Sequence, residues 1–139
     1  MSDSVDAVGG DGDGSAGLLS APEEESRQSI YAEISREMVR LYKQQFGRGP
    51  TKARTSFADR DCLICTLENS LTPAEQNMVK MGEHQRLRDI RMFFQHSSEN
   101  EFVEIVERLT GRKVRAMVSG IDTERDVSSE IFYLEQTTA

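Results

Sequence analysis

The sequence lacks the features of a membrane-spanning or secreted protein. It has no run of roughly 18–20 apolar residues, which is the length that a membrane-spanning helix needs. Its N-terminus has no basic region followed by an apolar stretch, so no signal peptide is predicted. Cysteine is scarce, and two cysteines without an export signal indicate a reducing compartment. We therefore expect a cytoplasmic protein.

Basic residues are absent from the N-terminal segment. Residues 1–26 carry no Lys or Arg but seven acidic residues, which are Asp3, Asp6, Asp11, Asp13, Glu23, Glu24 and Glu25. The whole chain has 17 basic and 24 acidic residues and a net charge of −7, so the remainder holds 17 of each sign and is neutral. The Gly/Asp/Ser-rich residues 1–22 predict a disordered acidic tail, with regulation or partner binding as an alternative role. Residues 23–136 are predicted to form a single α+β domain.

Turn and helix signals divide this domain into two similar units. Each unit consists of a helix, a Gly-Arg break and two strands joined by an Asp-rich turn. In the first unit Gly47 ends the helix and the hairpin spans Thr51–Glu68. In the second unit Gly111 ends the helix and the hairpin spans Lys113–Glu135.

Capping signals predict where the helices begin. Ser20–Glu23 has the spacing of a capping box and starts a long amphipathic helix. Thr72–Glu75 repeats the signal with Pro at the first helical position and predicts a short helix. A longer helix is expected from about residue 83, with a bend at residues 97–100. The apolar face of this third helix comprises Leu87, Ile90 and Phe94, and Phe93 broadens it.

Two hairpins that each follow a helix predict a two-layer α+β sandwich with a four-stranded, mostly antiparallel sheet. Charged residues alternate along the first strand of each hairpin, which indicates that one face of the sheet is exposed to water. The helices are therefore expected to cover the opposite face. The apolar strand Cys62–Leu67 is expected near the centre of the sheet. Open sheet edges would let a second copy pair, so a homodimer is predicted. The charged alternates are Lys52, Arg54, Lys113 and Arg115, and the apolar alternates of the third strand are Val114, Ala116 and Val118.

The sequence shows no constellation of catalytic or metal-binding residues. Cys62 and Cys65 have Cys-x-x-Cys spacing, but residues three apart in a strand point to opposite faces, so we interpret them as structural. His84 and His96 would lie about 18 Å apart on a continuous helix, too far to share a metal ion. The acidic residues of the hairpin turns suit turn formation by themselves. No metal, cofactor or catalytic residue is therefore predicted.

The loop Gly47–Thr51 is the most distinctive local feature. Its Gly and Pro residues predict a helix stop and a turn. The alternative is a binding loop whose backbone N–H groups face an anion or a partner, although it lacks the Gly-Lys-Ser/Thr ending of a P-loop. Adjacent hairpins would join its basic residues to those of the second unit. The candidate partner- or anion-binding residues are Arg48, Gly49, Pro50, Thr51, Lys52, Arg54, Arg112, Lys113 and Arg115.

Three motifs occur in the order found in a known family. They are Gly-Arg-Gly-Pro-Thr-Lys-Ala at 47–53, Leu-Thr-Pro-Ala-Glu at 71–75 and Leu-Thr-Gly-Arg-Lys-Val at 109–114. Together with Ser119-Gly120 they resemble the MpsC-like family of small bacterial proteins, over roughly Glu23 to Glu135. The resemblance implies an accessory protein beside membrane partners of a cation or inorganic-carbon transport system, not a transporter. It supplies no catalytic residues.

Three functional classes follow from these observations. The leading hypothesis is a non-enzymatic interaction module that docks a protein partner through the Gly47–Thr51 loop and the adjacent basic strands. The second is a binder of an anion or a phosphorylated small ligand, including an enzyme acting on such a compound. The third is a nucleic-acid binder, which is less favoured because RNA-binding sheets carry exposed aromatic residues where these strands carry charged or small ones.

Overall fold

The computed structural model describes residues 20–136, and the predicted tail falls almost entirely outside this range. The elements in chain order are α1 (Ala21–Phe46), β1 (Lys52–Asp59), β2 (Cys62–Glu68), α2 (Pro73–Lys80), α3 (His84–Ser97), α4 (Glu99–Thr110), β3 (Val114–Asp122) and β4 (Val127–Leu134). The four strands form one antiparallel sheet in the order β1-β2-β4-β3. The two hairpins therefore meet through their second strands, and the predicted α+β fold is confirmed.

Local sequence signals fix the ends of the helices as predicted. Ser20 and Glu23 form a reciprocal capping box at the start of α1, and Thr72 and Glu75 form another at the start of α2. Helices α1 and α4 both end at a glycine with positive φ, which is 81° at Gly47 and 73° at Gly111. L-residues with a Cβ rarely adopt this conformation, so the glycines are required where each helix turns into its hairpin.

The main apolar core lies between the sheet and two of the helices. It is built from α1, α4 and the central strands β2 and β4. This confirms Cys62–Leu67 as part of a central strand, with every second side chain buried. The fully buried members include Ile34, Met38, Tyr42, Leu63, Leu67, Phe102, Val106, Phe132 and Leu134. Helices α2 and α3 contribute no residue to this described core cluster.

The predicted buried face of α3 is wrong apart from Leu87. The helix buries Leu87, Arg91 and Gln95, whereas Ile90 is 43% exposed and Phe94 is 41% exposed. The apolar pattern pointed to the wrong side because the inward positions are filled by polar side chains with partners. Tertiary hydrogen bonds have overridden hydrophobic periodicity here.

The predicted alternation of β3 is also wrong beyond Val114. A register shift between Val114 and Ala116 marks a bulge, and residues after a bulge exchange faces. Met117 therefore packs against the core, while Val118 is 50% exposed on the open face of the sheet. The charged alternates of both edge strands are exposed, as predicted; they are Lys52, Arg54, Lys113 and Arg115.

Replacing Gly111 by Ala should destabilise the fold by about 1 kcal/mol, because Ala must adopt the left-handed conformation. A Cβ at Gly111 meets nothing within 4 Å, so backbone strain is the whole effect. Gly120→Ala is the matched control, since a Cβ there also meets open space and Gly120 lacks a positive φ. Urea unfolding should show a lower free energy of unfolding for Gly111→Ala alone. Equal values for the two variants would contradict the role given to the glycine.

Candidate functional site

The loop Gly47–Thr51 is packed against its surroundings. Its first N–H donates to the carbonyl of Lys43 at 2.9 Å, and its last donates to the carbonyl of Glu68 at 3.1 Å. Gly49 lies so close to α1 that an added Cβ would be 3.2 Å from Val39 Cγ1. With two of its N–H groups already bonded, the loop offers fewer amides to an anion than the sequence indicates.

Arg48 and Arg112, the arginines of the two Gly-Arg breaks, occupy equivalent structural positions. Arg48 Nε donates to the carbonyl oxygen of Asn69, the residue after β2, at 3.3 Å. Arg112 Nη2 donates to the carbonyl oxygen of Glu135, the residue after β4, at 2.8 Å. Arg112 also pairs with Asp61 at 2.5 Å. Each arginine thus ties the start of its hairpin to the end, a role that the sequence did not indicate.

The structure does not bring the two sets of basic residues together. Strands β1 and β3 are opposite edges of the sheet, so about 14 Å of sheet separates them. Lys52 lies at one end of β1, 3.8 Å from Glu68. Arg115 lies at the other end of the sheet, with its guanidinium carbon 5.5 Å from the ring centroid of Tyr133. The joined basic surface expected from adjacent hairpins does not form.

Helix α3 presents aromatic side chains to solvent and polar ones to the protein. Ile90, Phe93 and Phe94, called here the aromatic surface, follow helical spacing along its outer side. Phe93 is 69% exposed. The Phe94 ring contacts Phe46, the last residue of α1, at a centroid distance of 5.9 Å. Because Gly47 follows Phe46, the aromatic surface lies beside the Gly47–Thr51 loop.

Arg91 anchors the inner side of α3. Its guanidinium makes a two-pronged ion pair with Glu75 at 2.7 and 2.8 Å and donates to the carbonyl of Ser70 at 3.0 Å. It also donates to Ser70 Oγ at 3.4 Å and lies over the ring of Phe46, whose centroid is 3.7 Å from the guanidinium carbon. Burial raises the pKa of Glu75, but hydrogen bonds from Arg91 and Thr72 outweigh burial, so the pKa lies below its usual value of 4.5. The pair joins α2 to α3.

A second polar group lies deeper, between the sheet and the helices. Glu130 on β4 is fully buried, and its carboxylate accepts hydrogen bonds from Tyr42 at 2.5 Å, from Gln95 at 2.6 Å and from Ser119. Gln95 also donates to the Tyr42 hydroxyl at 2.8 Å. These four residues are called here the buried polar cluster. They join α1, α3, β3 and β4.

The environment of this cluster disfavours negative charge. Burial raises the pKa of Glu130 to about 7, even though its three donors act in the opposite direction. Burial and the adjacent Glu130 raise the pKa of Tyr42 well above its usual value. Cys65, which pairs with Glu130 across the sheet, has its pKa raised by burial to about 12. Glu130 is thus the member that titrates near neutral pH.

Sequence reasoning missed Glu130, although one signal for it was present. Glu130 lies two residues before Phe132 and four before Leu134, so it shares their inward face in any regular strand. A charged residue on the core side of a central strand is rare and needs partners. Those partners come from α1, α3 and β3, and their convergence is a tertiary property.

The two cysteines and two histidines do not come together as a group within the described residues. Cys65 is buried in the core and Cys62 is partly exposed on the other face, so their predicted divergence is confirmed. His84 Nδ1 is 2.9 Å from Thr123 Oγ1, while His96 lies at the surface. Within residues 20–136, no three His, Cys, Asp or Glu side chains are grouped so that they could hold a metal ion.

The buried carboxyl predicts an unusual pH dependence of stability. The folded state binds the Glu130 proton more tightly than the unfolded chain, with pKa values of about 7 and 4.5. Stability from this residue is therefore fully present below pH 4.5 and is lost as the pH rises to 7, by about 3 kcal/mol. Urea unfolding from pH 4.5 to 8 should show this decline in the wild type and not in Glu130→Gln. Parallel pH profiles of the two proteins would contradict it.

The comparisons with known proteins agree with the motifs. A protein-family model described as "Na+-translocating membrane potential-generating system (MpsC)" matches residues 26–136. The chain is 27% identical over 110 residues to the uncharacterised protein YbcI of Bacillus subtilis (strain 168). The aligned region covers 78% of this chain and 88% of YbcI. No solved structure matches it significantly. Among the described residues, no helix is both long and apolar enough to cross a membrane. Since the family model covers most of the sequence, the chain belongs to the MpsC family.

Proposed function

We propose that this protein is a non-enzymatic, cytoplasmic accessory module that binds a protein partner through the aromatic surface of α3 and the neighbouring Gly47–Thr51 loop. The observation that carries the proposal is the exposure of Ile90, Phe93 and Phe94 on one side of a helix. Soluble proteins rarely leave grouped aromatic side chains in water unless these contact a partner.

The surroundings of the aromatic surface indicate the chemistry of the partner. Arg86, one turn before Ile90, is 75% exposed and faces only Glu83 at 3.4 Å among its ion-pair contacts within the described chain. Arg48 lies on the other side, beyond Phe46, and its guanidinium bonds to a neutral carbonyl group. A partner segment with apolar side chains flanked by carboxylates matches this arrangement.

The family suggests where such a partner resides. The description of the matching family names a sodium-translocating system that generates a membrane potential. An accessory module of that kind would bind a cytoplasmic segment of a membrane component that moves a cation. Support for this step comes from the family description, while the aromatic surface supports protein binding in general.

The test is recovery of a membrane partner from solubilised membranes of the native organism, with mass spectrometry as the readout. Wild-type protein should enrich an integral membrane transport component. The amount of this component recovered with Phe93→Ser should be at least tenfold lower than with the wild type. The double variant Arg48→Ala/Lys52→Ala should also recover less of it. Val118→Ser is the matched control, because Val118 is an exposed apolar residue on the opposite layer.

Each outcome of this experiment has a defined meaning. Equal recovery by Phe93→Ser and wild type would overturn the aromatic surface as the binding site. Loss in Val118→Ser instead would move the site to the open face of the sheet. Failure to enrich any membrane transport component would overturn the proposed partner. Melting temperatures of all variants show whether a loss of binding is a loss of folding.

A further inference from the structure

Helices α2 and α3 are attached to the rest of the protein by polar contacts as well as by the ring contact between Phe94 and Phe46. Neither contributes a residue to the main core, and Leu87 is the buried apolar side chain of α3. Gln95 bonds to Glu130 and Tyr42, and His84 bonds to the β3–β4 turn at Thr123. An element held in this way opens at lower free energy than the core strands do.

The segment formed by α2 and α3 has a short connection at each end. A single non-helical residue, Ser98, separates α3 from α4, with φ −108° and ψ 14°. At the other end, the stretch 69–72 that leads into α2 is held by hydrogen bonds from three of its N–H groups to Asp126, so any movement begins after it. The Arg91–Glu75 ion pair joins α2 to α3 internally and can persist when both helices move together, whereas the contact of Arg91 with the Phe46 ring of α1 has to break.

Gln95 is not fully satisfied in the closed arrangement. Its Nε2 donates twice, but its Oε1 is buried without a hydrogen-bond partner in the described structure. A buried polar atom without a partner costs free energy that water would return on opening. The closed position of α3 is thus weakly favoured at the point where it meets Glu130.

We infer that the burial of Glu130 beneath α3 acts as a proton-operated latch: α3 stays against the sheet while Glu130 is protonated and opens when Glu130 ionises, because the cost of a buried charge exceeds the gain from the Gln95 hydrogen bond. The inference concerns the isolated chain and does not depend on the proposed function. If that function holds as well, the latch moves the aromatic surface and makes partner binding depend on pH.

The groups facing Glu130 explain the direction of the effect. They are Tyr42 from α1, Cys65 from β2, Gln95 from α3 and Ser119 from β3, none of which is a cation. An ionised carboxylate is therefore buried without a counter-charge, and exposure to water stabilises it. The proton affinity of Glu130 places this change near neutral pH, where its pKa is about 7.

The test is hydrogen–deuterium exchange with mass spectrometry on the purified chain from pH 5.5 to 8, corrected for intrinsic exchange rates. Amides of α3 should exchange faster than those of β2. The opening constant of α3 should rise by up to tenfold per pH unit below pH 7 and then level off, as the release of one proton requires. Glu130→Gln should remove this rise. Glu104→Gln, which removes a carboxylate that is 64% exposed, is the matched control and should retain it.

The wild-type measurement alone can overturn the inference, even if a variant fails to fold. If α3 and β2 exchange at the same rate at every pH, α3 has no independent opening. If the opening of α3 does not change with pH, Glu130 does not control it. A rise that persists in Glu130→Gln would assign the effect to another group. No partner protein is involved, so these outcomes are separate from those that test the proposed function.

Discussion

The pairing of β2 with β4 is the constraint on which the rest of the structure depends. It joins the two hairpins into one sheet and places both second strands at the centre. Helices α1 and α4 can then share one core over these strands, with Leu63 and Phe132 paired beneath them. The same register sets Cys65 opposite Glu130, which puts a carboxyl group in the middle of a mostly apolar layer.

The helices pack on the sheet in two different ways. Helices α1 and α4 bury apolar side chains and supply most of the hydrophobic stabilisation. Helix α3 contacts the protein through Leu87 and Phe94 and also through Arg91 and Gln95, and the stabilisation from these two polar residues depends on each hydrogen-bond partner being in place. The protein thus combines an apolar core with a helix that buries Leu87, Arg91 and Gln95 and leaves Ile90, Phe93 and Phe94 exposed.

The sequence predicted those parts of the structure that local rules decide. Capping boxes at Ser20 and Thr72 and the glycines at 47 and 111 fixed the helix ends, because each signal acts within one turn. The predicted buried faces of α3 and β3 were wrong because contacts between distant parts of the chain decide which side chains are buried there. On α3, the ion pair with Glu75 allows Arg91 to occupy a buried position. On β3, a bulge after Val114 moves the following side chains to the opposite face of the sheet. The sequence indicated one part of the candidate site, the Gly47–Thr51 loop. It did not show that this loop adjoins the exposed aromatic residues of α3, because the two are far apart along the chain.

The two Gly-Arg breaks have a consequence for the origin of the fold. Arg48 and Arg112 each join the start of a hairpin to its end, and Arg112 also bonds to Arg60 and Asp61 of the other hairpin. The units pair through their second strands in antiparallel fashion, with Cys65 opposite Glu130 at the middle of the shared ladder. This is the arrangement that two copies of an ancestral half-length chain would adopt as a dimer. Fusion of those copies would need a connector, and α2–α3 lies in that place, which accounts for a segment that contributes nothing to the shared core.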